Sequence, residues 1–169
     1  MRGDLHTLKK VCSYASVVML AGEIAFMILA AASAVLGAVS FTSPDIRETF
    51  SQLIKCGESD LSLAAGTIEM VVLFATMFVT VKMIHDTMVS IQKEHSPFMN
   101  ENAARFKTIC LAFLIASVPL SVLEFLTRGD QILAVCVFLA FILISVVMYC
   151  LTIIFRYGAM LQDESDHTL

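Results

Sequence analysis

Three glutamates inside long apolar runs are the residues of this sequence most suited to chemistry. Glu23, Glu69 and Glu124 are each the only charged residue of the apolar run that contains them. A carboxyl group within hydrocarbon is costly, so such groups face a protein interior or a water-filled cavity and often mark a function. The pattern therefore makes all three candidates for a proton or cation site.

The same glutamates also have a purely structural interpretation. As neutral acids they would bond to Ser, Thr or backbone carbonyl groups, and Glu124 has Arg128 one helical turn later as an ion-pair partner. Counting helical turns places Glu69 and Glu124 at similar depths, and Glu23 deeper by about 10 Å. Glu69 and Glu124 are therefore expected to be able to meet, whereas Glu23 is expected to lie apart.

No motif for catalysis or metal binding accompanies these carboxylates. The sequence lacks a glycine-rich phosphate loop, a paired-cysteine zinc motif, a zinc-protease helix and a Ser/His/Asp arrangement. His85 and His95 are ten residues apart, which is not a metal-ligand spacing on a helix. The sequence predicts no catalytic residue, no metal site and no cofactor, and the protein is not expected to be an enzyme.

The elements that carry the glutamates are predicted to be membrane-spanning helices. Hydrophobic residues make up 58% of the 169-residue chain and charged residues 15%, with a mean hydropathy of +0.83. About 20 apolar residues cross the hydrocarbon layer as a helix, and four runs reach that length. The predicted spans cover about residues 12–39, 61–84, 107–127 and 131–156. The expected fold is all-α, a single transmembrane domain over residues 1–169 built as an antiparallel four-helix bundle.

The basic residues predict the orientation of this bundle. With the N-terminus in the cytoplasm, eight of the 11 basic residues lie inside and three outside. The three outside are Arg47, Lys55 and Arg128. This bias places both termini in the cytoplasm and makes the chain a multi-pass protein of the cell (cytoplasmic) membrane. The chain has no basic patch to neutralise phosphates, so no direct nucleic-acid contact is expected.

The loop between the first two spans is predicted to contain a short amphipathic helix over about residues 44–55. Ser43 and Pro44 offer a capping hydroxyl and a proline at the first helical position, and Gly57 is expected to end the helix. One face is apolar and consists of Ile46, Phe50, Leu53 and Ile54. Such a helix would lie on the outer membrane surface or cap the bundle.

A cytoplasmic connector over about residues 86–106 and a tail over 157–169 complete the predicted chain. The helix of the second span is expected to continue toward Lys93, because nothing breaks it before Pro97. Asn100 is expected to cap the third span. Phe98 and Leu161 are expected to be mostly buried where connector and tail pack together. Arg105 or Arg156 is expected to lie within ion-pair reach of a tail acid.

Two segments resemble a bacterial family of four-helix integral membrane proteins whose domain has no known function. Within the connector 95–108 the resemblance is carried by His95-Ser96-Pro97-Phe98, Asn100-Glu101-Asn102 and Arg105-Phe106-Lys107-Thr108. The tail Ile154–Leu169 resembles the family's ending of Phe, Arg, Gly, Leu-Gln, an acid, Asp, Thr and an aliphatic residue. The four-span layout matches over essentially the whole chain.

The resemblance implies a partner, because genes of that family often adjoin one for a small Cro-like helix-turn-helix regulator. The leading hypothesis is thus a non-enzymatic regulatory or sensory membrane protein whose cytoplasmic face engages a protein partner. The candidate residues of this face are Pro97, Phe98, Asn100, Arg105, Arg156, Leu161, Gln162, Glu164 and Asp166.

Two other functions are compatible with the same residues. The first is a small proton- or cation-coupled transporter or channel that uses Glu23 and Glu69. The second is a structural or immunity-type membrane subunit. Both share the lipid bilayer as surroundings, and homo-oligomerisation stays open under each of the three hypotheses.

Overall fold

The computed structural model describes residues 2–57, 59–94 and 98–167, which form five α-helices and no strands. The helices are α1 (Arg2–Ser40), α2 (Pro44–Ile54), α3 (Asp60–Glu94), α4 (Asn100–Arg128) and α5 (Gln131–His167). All except α2 are long and apolar enough to cross a membrane. The predicted all-α fold with four membrane-length helices is confirmed, and it indicates a multi-pass membrane protein.

Several helices extend beyond the predicted spans. α1 begins at Arg2, ten residues before the expected start of its span, and α3 continues to Glu94, as the lack of a breaker suggested. α4 begins at Asn100, so much of the predicted connector 86–106 is helical. α5 continues through the predicted tail to His167. Pro97 lies outside the described residues.

Two predicted helix caps are wrong in detail. Ser43 occupies the N-cap position of α2, but its hydroxyl makes no capping hydrogen bond. Asn100 is the first residue of α4, and Met99 takes the N-cap position, again without a side-chain cap. Pro44 at the first helical position has no N–H to satisfy, which reduces the need for a capping acceptor at the start of α2.

The helices pack as antiparallel neighbours in the order α1, α3, α4, α5. Early residues of α1 meet late residues of α3: Ser16 accepts a hydrogen bond from Gln92 at 3.2 Å. The other end of α1 meets the start of α3, where Gly37 lies against Thr67. Among the described residues, α1 has no comparable packing against α4 or α5. It is therefore an outer helix of the array.

The main apolar core lies between α3, α4 and α5. Its buried members are Ile109, Phe113, Ala116 and Leu120 of α4 and Phe141 of α5. The rings of Phe113 and Phe141 are 5.1 Å apart, and Val72, Leu73 and Met77 of α3 pack against this group. Outside the core the long helices expose many large apolar side chains, among them Ile132 and Leu143. So much exposed apolar surface suits lipid rather than water.

α2 packs across one end of the array. Phe50 and Ile54 are buried against Leu63 of α3. The helix ends at Lys55, whose φ of 53° and ψ of 42° place it in the left-handed region. The prediction that Gly57 ends α2 is therefore wrong. The Gly57 N–H instead donates to the carbonyl oxygen of Thr127 at 3.2 Å. This bond connects the segment after α2 to the end of α4.

Candidate functional site

Arg128, the last residue of α4, is the centre of a polar cluster beneath α2. Its Nη1 contacts Glu124 one helical turn earlier and lies 3.3 Å from Oε1 of Glu69 on α3. The side chains of Glu69 and Glu124 are only 9% and 5% exposed. As their expected depths suggested, the two glutamates lie together. We call Glu69, Glu124 and Arg128 the carboxylate triad.

The ends of three helices converge on this triad because small residues let them approach. Gly129 has a φ of 72°, which ends α4 immediately after Arg128. A Cβ added at Gly66 of α3 would lie 2.7 Å from Cδ1 of Ile54 and 3.0 Å from Cγ2 of Thr127. A side chain at this position would require Ile54 and Thr127 to shift. Gly66 thus favours the close approach of α2, α3 and α4.

Hydrogen bonds connect the triad to α2 and to the segment that follows it. Nη2 of Arg128 donates to the carbonyl oxygen of Ile54 at 3.2 Å, at the end of α2. The Ser62 hydroxyl donates to the Thr127 carbonyl oxygen at 2.6 Å and accepts from the Gly57 N–H at 2.8 Å. These bonds connect the end of α4 to the end of α2 and to the segment that follows it.

Two oxygens of the triad have no hydrogen-bond donor. Glu69 Oε2 and Glu124 Oε1 are fully buried and lack a partner among the described residues. Both carboxyl groups contact the same nitrogen, Nη1 of Arg128, so they lie side by side. Two ionised carboxylates can only accept hydrogen bonds, so this arrangement is suited to holding a proton. The described residues contain no group of three or more side chains able to hold a metal ion.

Glu23 belongs to a different site. Its Oε2 lies 3.3 Å from Nδ1 of His85, between α1 and α3, and both side chains are mostly buried. The neighbouring Gly22 faces Val81, twelve residues beyond Glu69 and thus roughly 18 Å along α3. This separation exceeds the expected one, because the relative shift of α1 and α3 is set by packing and not by the centres of their apolar runs. The sequence did not single out His85 as this partner.

At the other end of the molecule, the start of α4 packs against the last turns of α5. The ring of Phe155 is 5.6 Å from that of Phe98 and 4.7 Å from that of Phe106. A Cβ added at Gly158 would lie 2.8 Å from Cγ of Phe98, so the ring rests directly on the α5 backbone. Phe155 of α5 thus contacts both aromatic rings at the start of α4. Sequence reasoning placed Phe155 in the family-like tail but did not predict this contact.

The expected burial of this contact is only partly present. Phe98 is 40% exposed and Leu161 is 47% exposed, so the prediction that both are mostly buried is wrong. α5 extends past the beginning of α4, and no described element covers the extension. A cleft of about 870 Å³ lies here between α4 and α5. Its lining includes Phe98, Asn100, Arg156, Tyr157, Met160 and Gln162.

The expected ion pair with a tail acid is also absent among the described side chains. Arg105 donates to Oδ1 of Asn102 at 2.6 Å and lies 3.6 Å from Oε2 of Glu101. These partners are one turn earlier on the same helix and are closer than the tail. Arg156 is exposed and forms no ion pair with the described tail acids. Glu164 is exposed, and the side chain of Asp166 lies outside the described residues.

No family model matches the chain, and comparisons with curated proteins and with solved structures found no significant match. The resemblance carried by the connector and the tail therefore stays a prediction from the residues themselves.

Proposed function

We propose that this chain is a non-enzymatic membrane protein of regulatory or sensory type that binds a protein partner at its cytoplasmic face. The observation that carries the proposal is the cleft between the first residues of α4 and the last turns of α5. It lies beside the part of α5 that extends past the predicted span. Sequence reasoning had singled out both of its walls.

The chemistry of the cleft favours a protein over lipid as its occupant. Tyr157, Met160 and Leu161 expose large apolar surfaces on this extension. Arg156, Gln162 and Asp163 lie between and beside them. Apolar and aromatic anchors surrounded by a polar rim are typical of protein interfaces, whereas a lipid-facing surface needs no polar side chains.

The proposed orientation places both termini and the cleft in the cytoplasm. It rests on the distribution of Lys and Arg, which follows the positive-inside rule. α2 then lies at the outer surface, with Phe50 and Ile54 turned toward α3. The resemblance to the four-helix family implies a small helix-turn-helix regulator as the partner. Holding such a regulator at the membrane would be a way to control it, with no contact between this chain and nucleic acid.

Site-specific photo-crosslinking in cells tests this proposal. A photoreactive amino acid at Met160, on the cleft, is expected to capture a soluble protein that mass spectrometry identifies. The matched control is the same amino acid at Leu53, which is also apolar and is more exposed (74% against 51%) but lies on α2 at the opposite end. We expect no such adduct at Leu53. Adducts only with lipid or with a second copy of the chain at Met160 would contradict the proposal and favour a structural subunit.

A further inference from the structure

We propose that Glu69 and Glu124 form a binding site for a single proton, and that this proton latches α2 onto the ends of α3 and α4. The inference concerns the end of the molecule opposite the cleft and goes beyond the proposed partner binding. It assigns the protein a proton-dependent change at the α2 end.

Hydrogen-bond accounting in the carboxylate triad leads to the proton. Nη1 of Arg128 faces Glu69 Oε1 and Glu124 Oε2, and Nη2 donates to the Ile54 carbonyl oxygen. Glu69 Oε2 and Glu124 Oε1 are left buried without a donor. An unsatisfied buried polar atom costs free energy, and nearly all such atoms in proteins have a partner. One proton on either carboxyl group would donate to the other and satisfy both oxygens.

The charges around the pair lead to the same conclusion. Arg128 offers one positive charge against the two carboxylates, and Asp130 in the turn after α4 adds a further negative charge. On the α2 side, the Ile54 carbonyl oxygen accepts a hydrogen bond from Arg128, and the Cys56 thiol lies near the same guanidinium. Arg47 of α2 forms an ion pair with Asp60. A bound proton leaves one carboxylate for one guanidinium.

A metal ion suits the site less well than a proton. Ca²⁺ takes about six to eight oxygen ligands, and Mg²⁺ requires a near-octahedral set of about six. The triad offers two unsatisfied oxygens, Glu69 Oε2 and Glu124 Oε1, with a guanidinium beside them. A guanidinium next to the site would repel a second cation. A proton shared between the two carboxyl groups needs no further ligand, unlike a metal ion.

Loss of the proton would release α2, because Arg128 contacts the two glutamates and also the end of α2. Two ionised carboxylates beside the same guanidinium repel each other. If they moved apart, Arg128 would shift and its hydrogen bond to the Ile54 carbonyl oxygen would weaken. The adjacent Thr127 carbonyl oxygen accepts from Gly57 and Ser62, so the segment after α2 would also be loosened. α2 would then be held by its apolar contact with Leu63 of α3 and by its packing against α1.

Hydrogen exchange of the purified protein tests the latch without any partner, so its outcome is separate from that of the crosslinking experiment. The exchange rate of the amides of α2 is divided by that of the buried amides of α4 at each pH, which removes the intrinsic pH dependence. Between about pH 5 and pH 9 the ratio should rise in the wild type by up to about tenfold per pH unit, since one proton is released on opening, and it should level off above the titration midpoint of the latched state. A ratio that does not change with pH would overturn the proposal.

Two variants sharpen this test. In Glu69→Gln the amide can donate to Glu124 Oε1 in place of the proton, so α2 should stay protected over the whole pH range. Glu48→Gln changes an exposed carboxylate of α2 outside the triad and should behave as the wild type. An equal rise of the exchange ratio in Glu69→Gln would refute the site.

Infrared spectroscopy of the wild type covers the case in which Glu69→Gln does not fold. At about pH 6 the carboxylic-acid C=O band of the shared proton should be present, and it should disappear as the pH is raised through the midpoint of the exchange transition. Glu124→Gln should lack this band between about pH 6 and pH 9, where ordinary carboxyl groups are ionised. Absence of the band from the wild type at about pH 6 would also overturn the proposal.

Discussion

Replacing Arg128 with methionine should destabilise the protein far more than the same change at Arg47. Methionine keeps much of the length and apolar character of the arginine stem and removes the guanidinium. At position 128 the change leaves Glu69 and Glu124 buried without a cation, and it removes the hydrogen bond to the Ile54 carbonyl oxygen. At position 47 it removes an ion pair with Asp60 near the protein surface.

The expected magnitudes follow from the burial of the partners. Removing one member of a buried ion pair costs about 3–5 kcal/mol, because the other charge stays behind without compensation. The Arg128 side chain is 23% exposed, and protonation of a carboxylate would relieve part of the cost. We therefore expect a loss near the lower limit, about 3 kcal/mol. The Asp60 side chain is 76% exposed, so Arg47→Met should cost no more than about 1 kcal/mol.

The assay is reversible unfolding of the purified protein in mild detergent, driven by increasing proportions of a denaturing detergent and followed by circular dichroism. The triple variant Arg128→Met, Glu69→Gln, Glu124→Gln serves as an internal check, because it removes the buried charges together and allows the two amides to bond to each other. It should recover roughly half of the free energy lost in Arg128→Met.

The reasoning fails if Arg47→Met costs as much as Arg128→Met, or if Arg128→Met costs less than about 1 kcal/mol. Either result would mean that water compensates the triad charges as fully as those at the surface. A triple variant that is less stable than Arg128→Met would show that the loss comes from packing and not from unpaired charge.

Three further predictions concern helix packing, orientation and the reactivity of Cys56. Gly37→Ala should destabilise the contact between α1 and α3 by about 1–3 kcal/mol, because the new Cβ would lie 2.9 Å from Cβ of Thr67. Gly22→Ala, where Val81 is 3.4 Å away, should be nearly neutral in the same unfolding assay. For the orientation, Gln52 and Asn100 are both exposed and are each replaced with cysteine in a Cys56→Ser background. An impermeant thiol reagent applied to intact cells should label the cysteine at position 52 and not the one at position 100. The reverse pattern would invert the proposed orientation. Wild-type Cys56 should itself react slowly at neutral pH, because burial raises the pKa of its thiol and leaves less thiolate.

The sequence alone was sufficient for the four long helices and for the local pair of Glu124 and Arg128. In lipid every backbone polar group needs a partner within the protein, so an apolar run of about 20 residues has essentially one structure available. Residues four apart on a helix share a face, so the Glu124 contact needs no knowledge of the rest of the fold. Asn102 illustrates the limit, because a polar residue of the predicted connector is completely buried in the structure.

Only the tertiary structure decided which partners the other glutamates meet. Glu69 reaches Arg128 and Glu23 reaches His85 across sequence separations of 59 and 62 residues. These pairings depend on the rotation and axial shift of each helix, and close contacts at residues such as Gly66 contribute to both. Membrane helices associate through many small packing terms without a hydrophobic drive between them, so their register is a property of the whole contact surface and is absent from the periodicity of any one helix. For the same reason the burial of Phe98 and Leu161 could not be deduced from their apolar character, since it depends on whether another element covers the end of α5.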